Sequence, residues 1–286
     1  MSARLVLVIA ALTLREIVRR RVIWVLVFLA IASVALVGWG TQRLVSIAHD
    51  EGIEPVQLQL GVSQVLILIA FMFSFVLAMS AAFLAAPAIA SDVETGTVHA
   101  MLARPLRRAE LVVGRWLGLS IVVAVYAVLA GLLAIAVVAL VSGHVPPEPL
   151  VAVVYLAFQA ITVLTLALAL GTRLPGMAEG AVTVVLFGLG WFAGVLGNLA
   201  VAFDATAIRG TSDALRYLLP TDGLWRGVVY GLEPPAVILL AAGTRVSAAN
   251  PFYAGEPPPA GFIAWSVVWV ILVLAGGIAL FRRREL

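Results

Sequence analysis

Long apolar stretches broken by short polar clusters set the pattern of this chain. Six of the stretches, at about 22–40, 57–88, 116–142, 150–170, 178–202 and 261–281, reach or approach the roughly 20 residues that a helix needs to cross a hydrocarbon core. They predict an all-α integral membrane protein with six transmembrane helices, built as a single transmembrane domain over residues 1–286. The second stretch is longer than a bilayer requires, so its helix should tilt or protrude. Trp24 and Trp39 bracket the first span as interface anchors.

The polar breaks predict the remaining elements. Residues 1–21 read as a membrane-surface helix leading into the first span, with Arg15, Glu16 and Arg19 on its wet side. Residues 41–56 read as a polar loop. His49, Asp50, Glu51 and Glu54 there have one His among them and lack the spacing that would fix a metal geometry. The GHVPPEP stretch from Gly143 to Pro149 is a tight loop containing His144, and Arg173 with Pro175 marks a short turn. Residues 203–260 hold apolar pieces of about ten residues, too short to span and suited to re-entrant or interfacial helices. Thr221 or Asp222 can cap one of these after Pro220, and Tyr217, Trp225 and Tyr230 suit the headgroup level.

The polar segment Ser91–Gly118, SDVETGTVHAMLARPLRRAELVVGRWLG, differs from the other breaks. Ser91 and Glu94 have the S-x-x-E spacing of a capping box, which predicts a short helix beginning near Asp92. Arg104 precedes Pro105, and the pre-proline clash should end that helix there. Pro105 fits the first position of the next helix, which runs through Arg107, Arg108, Glu110 and Arg115. Gly114 and Gly118 have the small-xxx-small spacing that admits a close neighbour, as do Gly190 and Gly194 in the fifth span.

Composition removes several classes of function. Hydrophobic residues make up 63% and charged residues 12%, against about 25% charged in soluble proteins. The net charge of +3 does not point to nucleic acid, because the basic residues flank the spans. There is no Cys, hence no thiolate site, and no Lys, so the G-x-x-x-x-G-K-[ST] phosphate loop cannot be present. If ATP drives this protein, it is hydrolysed on another chain. With six spans and the N-terminus inside, thirteen of the 18 Arg residues fall on the cytoplasmic side; Arg43, Arg209, Arg216, Arg226 and Arg245 fall outside. Positive charge on that scale places both termini and the 91–115 segment in the cytoplasm.

Glu94, Gly96 and Thr97, then Leu102, Ala103, Arg104 and Pro105, then Arg108, Glu110, Gly114 and Arg115, together resemble the coupling segment of type-2 ABC exporter permeases. Arg115 stands where Lys is more usual in that family. The resemblance covers about a tenth of the chain, at the position between spans two and three that the family uses. It implies a cytoplasmic coupling helix there, with Glu94, Gly96, Thr97, Leu102, Arg104, Pro105, Arg107 and Arg108 carrying the contact to a separate cytoplasmic ABC ATPase subunit. It further implies an N-terminal interfacial helix, short outward-side helices between spans five and six, and a second permease protomer, identical or paralogous. ATP and Mg would sit on the partner ATPase, with no cofactor and no catalytic residue in this chain. The location implied is the plasma or inner membrane. An apolar path with a few Gln, Ser and Thr groups suits a lipophilic or amphiphilic substrate such as a drug, antibiotic or lipid.

Two other classes of function make different demands on the sequence. An ion-coupled secondary transporter needs intramembrane Asp, Glu or His and inverted repeats, whereas the mid-span regions carry no ionisable residue and Glu179 sits at the start of span five. A membrane scaffold would tolerate scrambling of residues 94–108. Ser63, Ser74 and Ser80 in span two read as packing hydroxyls, with no His near them in sequence.

Overall fold

The computed structural model describes residues 2–19, 22–94, 107–241, 244, 247 and 249–283. Its helices, in order, are α1 (Ala3–Arg19), α2 (Val22–Glu51), α3 (Pro55–Glu94), α4 (Arg108–Ser142), α5 (Pro149–Gly171), α6 (Gly176–Ala202), α7 (Thr206–Leu218), α8 (Thr221–Leu232), α9 (Pro235–Ala241) and α10 (Ala260–Arg282). No strand occurs among the described residues. Among them six helices, α2 to α6 and α10, are long and apolar enough to cross a membrane. This is an all-α multi-pass membrane protein.

α5 is the centre of the bundle and packs against α3, α4, α6, α8 and α10. Its Ala157, Ala160, Val163, Leu164, Ala167 and Leu168 are all buried, with Gln159, Thr162 and Thr165 among them. The threonines satisfy their hydroxyls on the carbonyls of Phe158 and Ile161, one turn back, so they add no unpaired donor to the core. Trp116 of α4 donates its indole N–H to Thr165 Oγ1 at 2.8 Å. α2 and α10 lie at the periphery with large apolar side chains outward, among them Trp24, Phe28 and Trp39 on α2 and Ile271 and Leu272 on α10.

Several elements differ from the sequence expectations. The polar loop expected at 41–56 is helical through Glu51, leaving only residues 52–54 between α2 and α3. The reason is a single continuing face: Val37, Thr41 and Ala48 are buried and Leu44 packs beside them, while Gln42, Arg43, His49 and Asp50 point outward. Gly52, at φ 66°, stops the helix in the left-handed conformation that suits glycine. The helix expected to begin near Asp92 does not begin there, because α3 continues unbroken through Ser91 to Glu94. A capping box needs free N–H groups, and within a continuing helix those groups already serve carbonyls four residues back. At 40 residues, α3 extends about 60 Å, twice the roughly 30 Å hydrocarbon core. α4 starts at Arg108 rather than at Pro105 or 116, with Arg107 as its extended N-cap at φ −78° and ψ 137°.

Candidate functional site

One end of the bundle gathers the chain's beginning, the start of α4 and the end of α10. The first turn of α4 exposes unbonded N–H groups, and Glu110 supplies the acceptor: one carboxylate oxygen takes the Arg107 N–H at 3.1 Å and the other takes the Ser2 N–H at 2.6 Å. Arg108 Nη1 donates to the carbonyls of Phe281 and Arg282, at 3.1 and 3.0 Å, and its guanidinium lies 5.9 Å from the Phe281 ring centroid. A cation on the orphan carbonyls of a helix C-terminus is favourable for both bonding and dipole, so Arg108 locks α4 to α10. Arg115, buried in α4, pairs with Glu16 of α1 at 3.0 Å.

Gly114 and Gly118 face α1. A Cβ on Gly114 would lie 2.6 Å from Ile9 Cβ, and one on Gly118 would lie 2.8 Å from the Ala10 carbonyl oxygen. The face α1 offers is Val6, Ala10, Thr13 and Ile17, all buried, while Leu7, Leu12 and Val18 on its other side are exposed. Of the residues expected to contact an ATPase, Arg107 is exposed and Arg108 is committed to α10. Glu94 closes α3. Gly96, Thr97, Leu102, Arg104 and Pro105 lie outside the described residues.

Near this end Glu179, in the first turn of α6, is fully buried, and neither carboxylate oxygen has a hydrogen-bond partner among the described residues. Its side chain lies against Gly171, where an added Cβ would meet Glu179 Cγ at 3.6 Å. In sequence it reads as an ordinary residue at the edge of a span.

The opposite end is closed by α7 and α8. The glycine face of α6 receives them: Gly190 stands where a Cβ would meet Thr221 Oγ1 at 2.7 Å, Gly194 makes room for the Asp222 carboxylate, and Gly197 for Ser212 and Arg216. α8 is buried along nearly its whole length. Gly227 lets it approach the Tyr155 ring of α5 and Gly231 the carbonyl of Glu148, the N-cap of α5, and Gln159 of α5 donates its amide N–H to the Thr221 carbonyl at 3.1 Å. Neither Thr221 nor Asp222 is the N-cap of α8; Pro220 occupies that place. Trp225, expected at the headgroup level, is instead 1% exposed and sits beside Phe71, which also contacts Phe75, Trp191 and Phe252 at centroid distances of 5.0 to 5.5 Å. The terminal carbonyls of α7 are taken up by α10, whose Trp265 and Trp269 indoles donate to Tyr217 and Leu218, each at 2.8 Å.

A charged cluster lies within this end. Arg216 Nε is 3.1 Å and Arg226 Nε 3.4 Å from Oδ2 of the buried Asp222. Both arginines also donate an Nη2 to Asn198 Oδ1, and Arg216 Nη2 reaches the Gly194 carbonyl at 2.8 Å. Burial, and then the Arg226 charge beside it, lower the Arg216 pKa against the opposing pull of Asp222 and Asp213. Glu233, at the end of α8, is fully buried; one oxygen accepts the Ala254 N–H at 3.0 Å and the other is unpartnered, and burial pushes its pKa up to about 7. His144, expected to be only a loop residue, meets the buried Ser63 Oγ at 2.9 Å from 81 residues away, and burial lowers the pKa of its imidazole. The spacings of Asp213 with Arg216 and Asp222 with Arg226 were visible signals of the cluster; the convergence of Asn198 and the Ser63–His144 pair had no local signature.

Between the two ends, α2, α3, α4, α5 and α8 line a small apolar cleft of about 40 Å³, whose sole polar lining side chain among the described residues is Ser33. Val37, Phe73, Ile135, Val153, Leu156 and Val228 are among its walls.

A model of the family described as ABC-2 family transporter protein matches residues 7–286. The chain belongs to that family. No curated protein matches it. The family is a component of membrane transport rather than a catalyst, and membership implies in general an ABC ATPase partner and dimerisation. The resemblance carried by Glu94 to Arg115 is therefore part of a match that runs over nearly the whole chain.

Proposed function

We propose that this ABC-2 chain is the membrane subunit of an ATP-driven exporter that moves a lipophilic or amphiphilic substrate outward, with ATP and Mg bound by a separate cytoplasmic ATPase. The observation that carries the reading is the course of α3. It leaves the apolar core as one helix and continues through the polar residues Ser91, Asp92 and Glu94, the last described residue before Arg107 and α4. A stiff helix that protrudes in this way can transmit a push. Force applied between Glu94 and Arg107 reaches α3 and α4 directly, α10 through Arg108, and α1 through the Arg115–Glu16 pair.

In this reading Glu94, Gly96, Thr97, Leu102, Arg104, Pro105 and Arg107 meet the ATPase, while Arg108 holds the moving parts together. α1, with Leu7, Leu12 and Val18 exposed along one side, lies on the cytoplasmic surface of a plasma or inner membrane, and α7 and α8 cap the outer side. The apolar cleft supports a greasy rather than an ionic substrate. A second copy of this chain or a paralogue completes the pathway.

The test is co-purification from the native membrane followed by ATPase assays in proteoliposomes. A stoichiometric soluble partner bearing a phosphate loop is expected. Glu94→Ala and Arg107→Glu should leave the chain folded and inserted but lower transport-linked ATP hydrolysis by about tenfold, the loss of one charged contact. Full coupling in both variants would overturn the assignment of this segment, and isolation of the chain without an ATPase would overturn the exporter reading.

A further inference from the structure

Arg216 and Arg226 converge on one buried carboxylate at the wall of a cavity. The two guanidinia share one oxygen of one buried carboxylate, Asp222, and one amide oxygen, Asn198. The other nearby acid on Arg216, Asp213, is 3.8 Å from Nη1 with a half-exposed side chain, so water screens it. Arg216 is partly buried, with Nη2 donating to Gly194 and Asn198 and Nε ion-paired with Asp222 at 3.1 Å. Arg226 keeps an open edge: Nε and Nη2 are engaged, no bond to Nη1 is found among the described residues, and about a third of the side chain is open. That open edge lines a polar cavity of about 250 Å³, whose walls also include Asn198, Ser247, Tyr253, Ala254 and Glu256.

An open guanidinium edge at the wall of a cavity, backed by a second guanidinium, suits a planar or tetrahedral oxyanion. We propose that this cavity binds a phosphate-type oxyanion, with Arg226 as the direct ligand, Arg216 supplying the second positive charge, and Asn198 and Asp222 holding the two arginines in register. Glu256 is the one exposed acid on the cavity wall and faces the same space, so it opposes the anion and sets how tightly it is held. The oxyanion comes either from a membrane phospholipid headgroup or from free phosphate. The site stands on side chains of α6, α7 and α8 with Ser247, Tyr253 and Glu256, and does not depend on the ATPase, so it is independent of the exporter reading.

The experiment uses the full chain in nanodiscs. In one arm inorganic phosphate is titrated in phosphatidylcholine discs and binding is read by calorimetry; in the other, native mass spectrometry counts lipid retained from discs containing phosphatidylglycerol. Binding in the first arm identifies free phosphate, and retention of phosphatidylglycerol over phosphatidylcholine identifies the headgroup. In whichever arm binds, R226Q should weaken binding by about tenfold or more and raised salt should weaken it further. E256K, on an exposed side chain that does not hold the fold, should tighten it several-fold, about the effect of reversing one neighbouring charge. The two variants need no ATPase, so a failure here leaves the exporter reading standing and the reverse also holds. No binding in either arm would overturn the proposal, as would R226Q or E256K binding like the natural protein.

Discussion

Single carboxylates show how strongly position decides the behaviour of a residue. Glu110 and Glu233 are both buried, yet Glu110 takes two backbone N–H donors and Glu233 only one. With one oxygen unpartnered, Glu233 is held toward its neutral form, its pKa raised from 4.5 to about 7. The sign of the linkage follows. The stabilisation from the neutral carboxyl is whole below about pH 4.5, is lost as pH rises through about 7, and over that window amounts to about 3 kcal/mol. Glu233→Gln keeps an oxygen for the Ala254 N–H and cannot ionise. The solubilised natural protein should therefore lose thermal stability between pH 5 and 8 relative to Glu233→Gln, most visibly in hydrogen exchange of α8 and residues 249–256. Parallel pH profiles for the two proteins would show that Glu233 stays charged at its site.

At the scale of elements, the sequence made the spans legible because apolar length is a local property. What it hid was continuity. The polar residues of 41–51 look like a loop one by one, but Val37, Thr41, Leu44 and Ala48 keep one helical face against the core. The Ser91–Glu94 pair looks like a helix start, but the alanine-rich run before it carries the helix through. The glycine spacings were readable as close-packing signals, while their partners were not: Gly114 and Gly118 meet α1, and Gly190 and Gly194 meet α8, both from distant parts of the chain. In lipid, helix association rests on such close contact rather than on hydrophobic burial. Gly114→Leu should thus force α1 off α4, at a cost of about 1–3 kcal/mol for overpacking, and strain the Arg115–Glu16 pair. Limited proteolysis should then cut α1 in the variant while α4 to α6 stay protected; unchanged protection of α1 would show that α1 does not depend on that approach.

For the whole molecule, the decisive property is which end faces which compartment. The bundle brings the N-terminus, the start of α4 and the end of α10 to one end, through Glu110, Arg108 and the α1–α4 contact. The α2–α3 link follows one span away, and α7 and α8 close off the far end of α6. In the proposed orientation thirteen arginines go with the first end and five with the other, so the positive-inside bias predicts that the first end is cytoplasmic. The chain has no Cys, so single cysteines can report the arrangement without a cleared background. Arg107→Cys and Arg283→Cys should react with a membrane-impermeant maleimide only in inside-out vesicles, and Glu51→Cys and Glu256→Cys only in right-side-out ones. The reverse pattern would invert the protein in the membrane and remove the ATPase from the end where Glu94 and Arg107 stand. A mixed pattern, with Arg107 and Arg283 on opposite sides, would break the six-span topology itself, since Arg108 could not then bond the last carbonyls of α10.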